Sequence, residues 1–191
     1  MLLALKILAA FLIGAIPFAK VAMLGTGVDI TKVGSKNPGF RNVTRVASWW
    51  RAAICLIGDL GKGFFALWLL GGPQDSIVAC WAMGIAAVMG HCWSPFLGFN
   101  GGKGVATTFG VLLRLHPVIT LICLPLYPLL RLVGGKLKLK QEGAIASLST
   151  ATAISGVVLV SQGLEGVLAG LMLTGCGGKQ SAAQSTKPRT N

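Results

Sequence analysis

The chain has 191 residues, of which 53% are hydrophobic and 12% are charged. A typical soluble domain carries about 25% charged residues, so this chain has roughly half of the expected number. Long apolar runs alternate with short basic or glycine-rich segments, which argues against a single soluble core and predicts a membrane protein. The formal net charge of +12 does not indicate a nucleic-acid binder, because Lys and Arg fill the gaps between apolar runs instead of forming one basic surface.

The hydropathy pattern predicts about seven apolar segments separated by polar turns. They cover residues 2–24, 52–70, 77–96, 105–113, 118–133, 144–160 and 167–176. A full span needs about 20 residues, so the fourth and seventh segments are expected to be short, tilted or re-entrant. We therefore predict an all-α fold, with one polytopic helix bundle over residues 1–176 and a polar, disordered tail over residues 177–191.

The positions of Lys and Arg predict the orientation of the bundle. With the N-terminus outside, the inner loops at 25–51, 98–104, 131–142 and 177–191 contain 5, 1, 4 and 3 basic residues. The outer turns contain only Arg114. Because cytoplasmic loops carry the excess of Lys and Arg, the N-terminus is expected outside and the C-terminus inside.

The cysteines give no sign of a metal or cofactor. All five lie in or beside apolar runs, and the sequence contains no CxxC or Cys/His spacing. Cysteines in such places are usually small buried hydrophobic residues. No metal and no cofactor are expected.

The first polar constellation covers residues 34–45, with the sequence GSKNPGFRNVTR. Gly and Asn tolerate unusual backbone angles, so their amides can converge on an anion, while the side chains of Ser35, Asn37 and Arg45 add donors. Arginine can also bind a phosphate through two parallel hydrogen bonds. An ordinary basic loop would explain the charges but not the cluster of Ser, Asn, Pro and Gly, so we expect a phosphate contact here.

The second constellation is Gly90-His91 followed by the sequence FNGGKGVATT at residues 99–108. Three glycines around Lys103 open an apolar helical run, which suits an anion held at a helix N-terminus. This is not a P-loop, because Leu97 and Gly104 stand where GxxxxGK(S/T) requires Gly and Ser or Thr. A glycine-rich turn between two helices is the alternative, but the lysine favours a phosphate site.

Three further polar residues lie inside apolar segments. Asp59 and Lys62 are three residues apart, so they share one face of the predicted helix. Charged groups inside a membrane are costly and are candidates for function, although a purely structural ion pair explains them equally well. His91 could be a packed histidine, but its position ten residues before the glycines favours a place in the site.

Together these motifs resemble the bacterial acyl-phosphate:glycerol-3-phosphate acyltransferases, in order along the chain from about residue 8 to residue 160. The residues that carry the resemblance are Gly34-Ser35-x-Asn37-Pro38-Gly39-x-x-Asn42-Val43-x-Arg45, Asp59-x-x-Lys62-Gly63, Gly90-His91 and Gly101-Gly102-Lys103-Gly104-Val105-Ala106-Thr107. The resemblance implies a multi-span inner-membrane enzyme whose site faces the cytoplasm. It would transfer a fatty acyl group from acyl phosphate to glycerol 3-phosphate, giving lysophosphatidic acid and phosphate for phospholipid synthesis. Its implied partners are these two substrates, membrane lipids and an acyl-phosphate-producing enzyme.

The resemblance also implies roles for residues of this chain. His91, Lys103 and Ser35 are the expected catalytic residues, His91 as an orienting group or proton acceptor. Asp59 and Lys62 are expected to support them. The two loops are expected to bind the two phosphates, and the resemblance does not assign a substrate to either loop. The expected phosphate-binding residues are Asn37, Gly39, Asn42, Arg45, Gly101, Gly102, Gly104 and Thr107.

The sequence departs from the family pattern in several places. Ser94 stands where members usually have proline, and Lys36 and Arg41 occupy positions that are usually small and less basic. The family's third motif, which contains His, Asn, Arg and Glu, is not found in this sequence. Two alternatives therefore stay open: a transporter of a phosphorylated metabolite, and an inactive relative that binds other lipid enzymes.

Overall fold

The computed structural model describes residues 2–123 together with residues 125, 128, 129, 132 and 133. All regular structure in this part of the chain is helical. The helices are α1 (Leu3–Ala15), α2 (Phe18–Ala22), α3 (Phe40–Val46), α4 (Trp49–Leu70), α5 (Ile77–Cys92), α6 (Val105–Leu115) and α7 (Pro117–Cys123), with a 3₁₀ turn at Pro95–Leu97. The chain divides into two compact units, Met1–Leu115 and His116–Asn191, and every predicted site residue lies in the first.

Within the described residues, three segments are long and apolar enough to cross a membrane. They are Leu3–Ala22, Trp49–Leu70 and Ile77–Leu97, with mean hydropathies of 1.9, 1.7 and 1.5. Helix α6 has 11 residues and is therefore about 16 Å long, roughly half the thickness of a bilayer core. The expectations of an all-helical membrane protein and of a short fourth segment are met in the described residues. The sixth and seventh predicted segments and the tail lie outside these residues.

The surface of the first unit reverses the usual distribution of polar and apolar side chains. Large apolar side chains are exposed along the long helices, for example Ile57 (70% exposed) and Leu69 (62%). Meanwhile Asp59, Lys62 and His91 are among the buried residues. Exposed apolar area of this extent marks a surface that contacts lipid or another apolar partner. The distribution agrees with a bundle whose outside faces lipid and whose polar groups are enclosed.

The helix ends differ from the predicted boundaries at two prolines and in one loop. The first span is interrupted, because Pro17 has no N–H to continue the helix and α1 ends at Ala15. Helix α5 ends at Cys92 instead of continuing to residue 96, because Pro95 restricts the residue before it to extended backbone. The predicted loop at 25–51 contains α3 and already includes the first turn of α4.

Glycines let the long helices approach closely. A Cβ atom on Gly14 of α1 or on Gly90 of α5 would overlap backbone carbonyl groups of the facing helix. The same holds for Gly63 of α4 and Gly110 of α6. Small residues at such contacts are typical of helices packed in membranes, where close van der Waals contact drives association. The two pairs, α1 with α5 and α4 with α6, therefore form a tight frame around the polar residues.

Candidate active site

The site begins at the break in the first span. The last carbonyl groups of a helix have no partner within the helix and need one elsewhere. Here the carbonyl oxygen of Ala15 accepts a hydrogen bond from Ser94 Oγ at 2.6 Å, and that of Ile16 accepts one from Lys62 Nζ at 2.8 Å. Ser94, which departs from the family pattern, thus has a defined role in joining the end of α5 to the break after α1.

Lys62 belongs to a buried cluster of charged and polar side chains. Its Nζ lies 2.9 Å from Asp59 Oδ1, and the same oxygen lies 3.4 Å from His91 Nδ1. Cys55 Sγ donates to the other carboxylate oxygen of Asp59 at 3.7 Å. Asp59, Lys62 and His91 are 3%, 5% and 7% exposed. A lone charge at the centre of a membrane helix costs about 3 kcal/mol, so these groups offset one another's desolvation. Asp59 and Lys62 share one face of α4, as their spacing predicts, and they form an ion pair there.

The glycine loop, residues 98–104, folds back onto the end of α5. The amide of Gly101 donates to the carbonyl of Cys92 at 3.1 Å, and the amide of Gly102 donates to that of His91 at 3.2 Å. A Cβ atom on Gly101 would overlap the carbonyl of His91, and one on Gly102 would overlap His91 Nε2. These two glycines are therefore needed for close approach, and their amides already have acceptors.

The free donors lie one step further along, at the start of α6. The backbone amides from Lys103 to Ala106 donate no hydrogen bond within the described part of the chain. Burial and the nearby charge of Arg41 lower the pKa of the half-buried Lys103 ammonium below its ordinary value. Thr107 Oγ1 is buried without a hydrogen-bond partner among the described residues. A helix N-terminus, a partly buried cation and an unused hydroxyl together form a site that can bind an anion.

The second loop of the site, the Asn42 loop (residues 30–42), is organised around one buried side chain. Asn42 is fully buried, and its Oδ1 accepts from the amide of Ser35 at 2.8 Å. Its Nδ2 donates to the carbonyl oxygens of Ile30 and Val33, each at 3.0 Å. Both amide hydrogens of the Asn42 side chain are thus engaged within the loop, and this side chain shapes the loop. A phosphate contact through Asn42 stays a prediction.

Other predicted site residues in the Asn42 loop and in the helix that follows it have polar groups that a ligand could contact. Asn37 Oδ1 is buried without a hydrogen-bond partner among the described residues, and Ser35 is partly exposed. Arg45 lies exposed in the last turn of α3. Gly39 is the N-cap of α3, and its carbonyl accepts from the amides of Asn42 and Val43. A direct contact between any of these residues and a substrate stays a prediction.

The two loops meet at Gly102. A Cβ atom on Gly102 would lie 3.1 Å from the carbonyl oxygen of Pro38. The charge of Arg41 also acts on Lys103. The sequence analysis identified Arg41 only as a departure from the family pattern and did not predict it as a site residue. The signal that could have indicated this role is an additional positive charge within a predicted phosphate-binding motif.

These features define a class of protein: a helical membrane protein in which two adjoining loops carry groups that can bind an anion. The comparisons with known proteins agree with this class. Residues 4–176 match the family model described as glycerol-3-phosphate acyltransferase. The chain belongs to this family, and the resemblance drawn from its motifs is confirmed.

Individual relatives show the extent of the similarity. A glycerol-3-phosphate acyltransferase of Bordetella petrii is 48% identical over 115 residues, which cover 59% of this chain and 54% of that protein. One of Helicobacter pylori is 41% identical over 157 residues, covering 77% of this chain and 69% of the relative. The matched part thus spans about half of the length of the Bordetella relative.

Two crystal structures of an integral membrane glycerol 3-phosphate acyltransferase, PlsY (YgiH), resemble the fold. The glycerol 3-phosphate form has a TM-score of 0.76 and 26% sequence identity, covering 99% of this chain and 96% of that chain. The lysophosphatidic acid form has a TM-score of 0.75 at the same identity.

Proposed function

We propose that this protein transfers a fatty acyl group from acyl phosphate to glycerol 3-phosphate, giving lysophosphatidic acid and inorganic phosphate. The observation that carries the proposal is the start of α6, where the half-buried Lys103 accompanies unused backbone amides and lies near Arg41. Such a site suits a phosphate monoester, and both proposed substrates contain one. Membership of the glycerol-3-phosphate acyltransferase family supports the same reaction.

The proposed chemistry needs no covalent enzyme intermediate. The primary hydroxyl oxygen of glycerol 3-phosphate attacks the acyl carbon, and the bond from this carbon to the phosphate oxygen breaks with its electron pair going to phosphate. The hydroxyl proton leaves with the released phosphate, so the step balances without a further reactant. Acyl phosphate is already activated, and positioning with charge stabilisation would supply most of the acceleration.

The residues divide into two groups in this proposal. Lys103, the amides that follow it and Thr107 bind one phosphate or the charge that develops at the acyl carbon. Ser35, Asn37 and Arg45 contribute to the second phosphate site. Either substrate can be placed in either group on chemical grounds. We also propose seven spans with the N-terminus outside, a site facing the cytoplasm at the inner membrane, and supply of acyl phosphate by a partner enzyme.

The test is an acyl-transfer assay with purified protein in detergent. We expect lysophosphatidic acid and phosphate in equal amounts from acyl phosphate plus glycerol 3-phosphate, and no product from acyl-CoA. Lys103→Ala should reduce kcat/KM by about 100-fold or more, because an ammonium that stabilises developing charge is lost. Lys32→Ala is the matched control, since the Lys32 side chain is 81% exposed and lies 4.0 Å from Asp29.

Three results would overturn the proposal: no product above a protein-free blank, equal activity of Lys103→Ala and the parent, or a preference for acyl-CoA. Uptake of glycerol 3-phosphate into liposomes without acyl transfer would favour the transporter instead.

A further inference from the structure

Two ion pairs in the first unit differ in what surrounds them. Lys6 pairs with Asp75, linking α1 to the turn before α5, and this carboxylate also accepts from the amide of Gly72. The pair of Asp59 with Lys62 lies within α4 and contacts both the break after α1, through Ile16, and α5, through His91. Both pairs can stabilise the fold, but the second one also reaches the candidate site.

A continuous chain of contacts runs from the break in the first span to the glycine loop. The carbonyl of Ile16 accepts from Lys62 Nζ, Lys62 pairs with Asp59, and Asp59 lies against His91 Nδ1. The opposite edge of the imidazole, Nε2, abuts Gly102, whose amide bonds to the carbonyl of His91. The ring thus lies between a carboxylate and the backbone of the glycine loop, one residue before Lys103. Its Nδ1 makes no hydrogen bond to a described residue, so its contact with Asp59 is one of proximity and charge.

Helix α4 also reaches the other side of the loop. Gly63, next to Lys62, has no side chain, and a Cβ atom there would overlap the carbonyl of Thr107 in the first turn of α6. Helix α4 is therefore connected to the segment around Lys103 on both sides: through His91 to Gly102 before it, and through Gly63 to Thr107 after it. Asp59 and Lys62 themselves are too deeply buried, at 3% and 5% exposure, for direct contact with a substrate in this arrangement.

We propose that Asp59 and Lys62 are positioning residues that act through His91 to hold the glycine loop, and with it Lys103, in the geometry that binds phosphate. In this proposal the ion pair does more than stabilise the fold, because it connects α4 to the candidate site. This inference rests on the proposed function, but the position of the loop can be measured without turnover.

The experiment compares Asp59→Asn with Asp75→Asn, which removes the carboxylate charge of the other pair. Thermal unfolding in detergent measures the structural contribution of each pair. We expect Asp59→Asn to lower kcat/KM at least 10-fold, mainly through a higher KM for glycerol 3-phosphate or acyl phosphate, and Asp75→Asn to stay within about twofold of the parent. Equal losses of activity at equal losses of Tm would show a structural role and overturn the inference.

Hydrogen–deuterium exchange gives the second readout. The amides of Gly101 and Gly102 should exchange faster in Asp59→Asn than in the parent, while those of the Asn42 loop stay unchanged and Asp75→Asn has no effect on either loop. Unchanged exchange at both glycines would overturn the inference even if activity falls. If the parent makes no product, the proposed function fails, and exchange alone still decides whether the pair holds the loop.

A second variant covers the case in which Asp59→Asn does not fold. Lys62→Arg keeps the charge but changes the length and shape of the group that joins Ile16 to Asp59. We expect a Tm close to that of the parent together with faster exchange at Gly101 and Gly102 and a raised KM. A fully parental KM and exchange rate in this variant would contradict a positioning role.

Discussion

The two loops of the site are held in opposite ways. The Asn42 loop depends on one side chain, which binds three backbone groups at Ile30, Val33 and Ser35. The glycine loop depends on missing side chains, because Gly101 and Gly102 bring the backbone against His91 and Cys92. Residues of two types that are common in polar motifs thus act in opposite ways: Asn42 adds contacts in one loop, and the glycines leave space in the other.

The comparison also separates two kinds of sensitivity. A loop held by a side chain is weakened when that side chain is shortened, because buried backbone groups lose their partners. A loop held by close approach is displaced when any atom is added, whatever its polarity. Substitutions in the two loops should therefore fail in different ways, and the following predictions test this.

The largest effect is expected from Gly102→Ala. The new methyl group would overlap His91 Nε2 and lie 3.1 Å from the carbonyl oxygen of Pro38, so the loop or the His91 ring must move. We expect roughly a 100-fold loss of kcat/KM, because displacements of about 1 Å at a site have effects of this size.

Gly98→Ala serves as the control for this substitution. Gly98 has φ +57°, so alanine there is strained, but no atom lies within 4 Å of its Cβ position. Gly102 is not among the glycines with positive φ, so an equal loss in both variants would indicate a general sensitivity of this loop to substitution and not a specific contact with His91.

A smaller loss of activity and a clear loss of stability are expected from Asn42→Ala. Three hydrogen bonds disappear, and the free energy of unfolding should fall by roughly 2–3 kcal/mol at about 1 kcal/mol each. Activity at a temperature well below Tm should fall roughly 10-fold as the loop loosens. Asn100→Ala, which removes one exposed bond to the carbonyl of Gly98, should cost less than about 0.5 kcal/mol. Thermal unfolding and the acyl-transfer assay measure both quantities, and similar Tm values for the two variants would refute the role of Asn42.

The smallest effect is a shift in pH dependence. Burial and the charge of Arg41 lower the pKa of Lys103, so its ammonium loses its proton at a lower pH than an ordinary lysine does. As pH rises through this pKa, the positive charge disappears and kcat/KM should fall. Lys103→Arg keeps its charge throughout, so its normalised profile should decline at a higher pH. Identical alkaline limbs, measured with correction for spontaneous hydrolysis of acyl phosphate, would exclude Lys103 as the titrating group.

Much of the fold could be predicted because it follows from local patterns. Apolar runs of sufficient length indicated the long helices, and the spacing of Asp59 and Lys62 indicated their pairing on one helix face. The position of His91 shortly before the glycines also indicated its place beside them. These signals lie within single elements or short stretches of sequence.

The parts that could not be predicted depend on contacts between distant residues. Ser94 bonds to Ala15 over a separation of 79 residues, and Lys62 bonds to Ile16 over 46. No local pattern distinguishes an asparagine that binds a ligand from one that, like Asn42, satisfies its own loop. Likewise, a run of glycines has the same sequence whether its amides face an anion or, as at Gly101 and Gly102, the end of another helix.

The break at Pro17 has a consequence for how the protein depends on its surroundings. An interrupted membrane helix exposes backbone carbonyl groups. In many transporters these groups coordinate a sodium ion or a proton taken from the surrounding solution. Here the cation at the carbonyl of Ile16 is the ammonium of Lys62, which is covalently part of the protein. A cation attached to the chain is present at a fixed stoichiometry and cannot diffuse away. The break should therefore keep its partner whatever the concentration of monovalent ions on either side of the membrane.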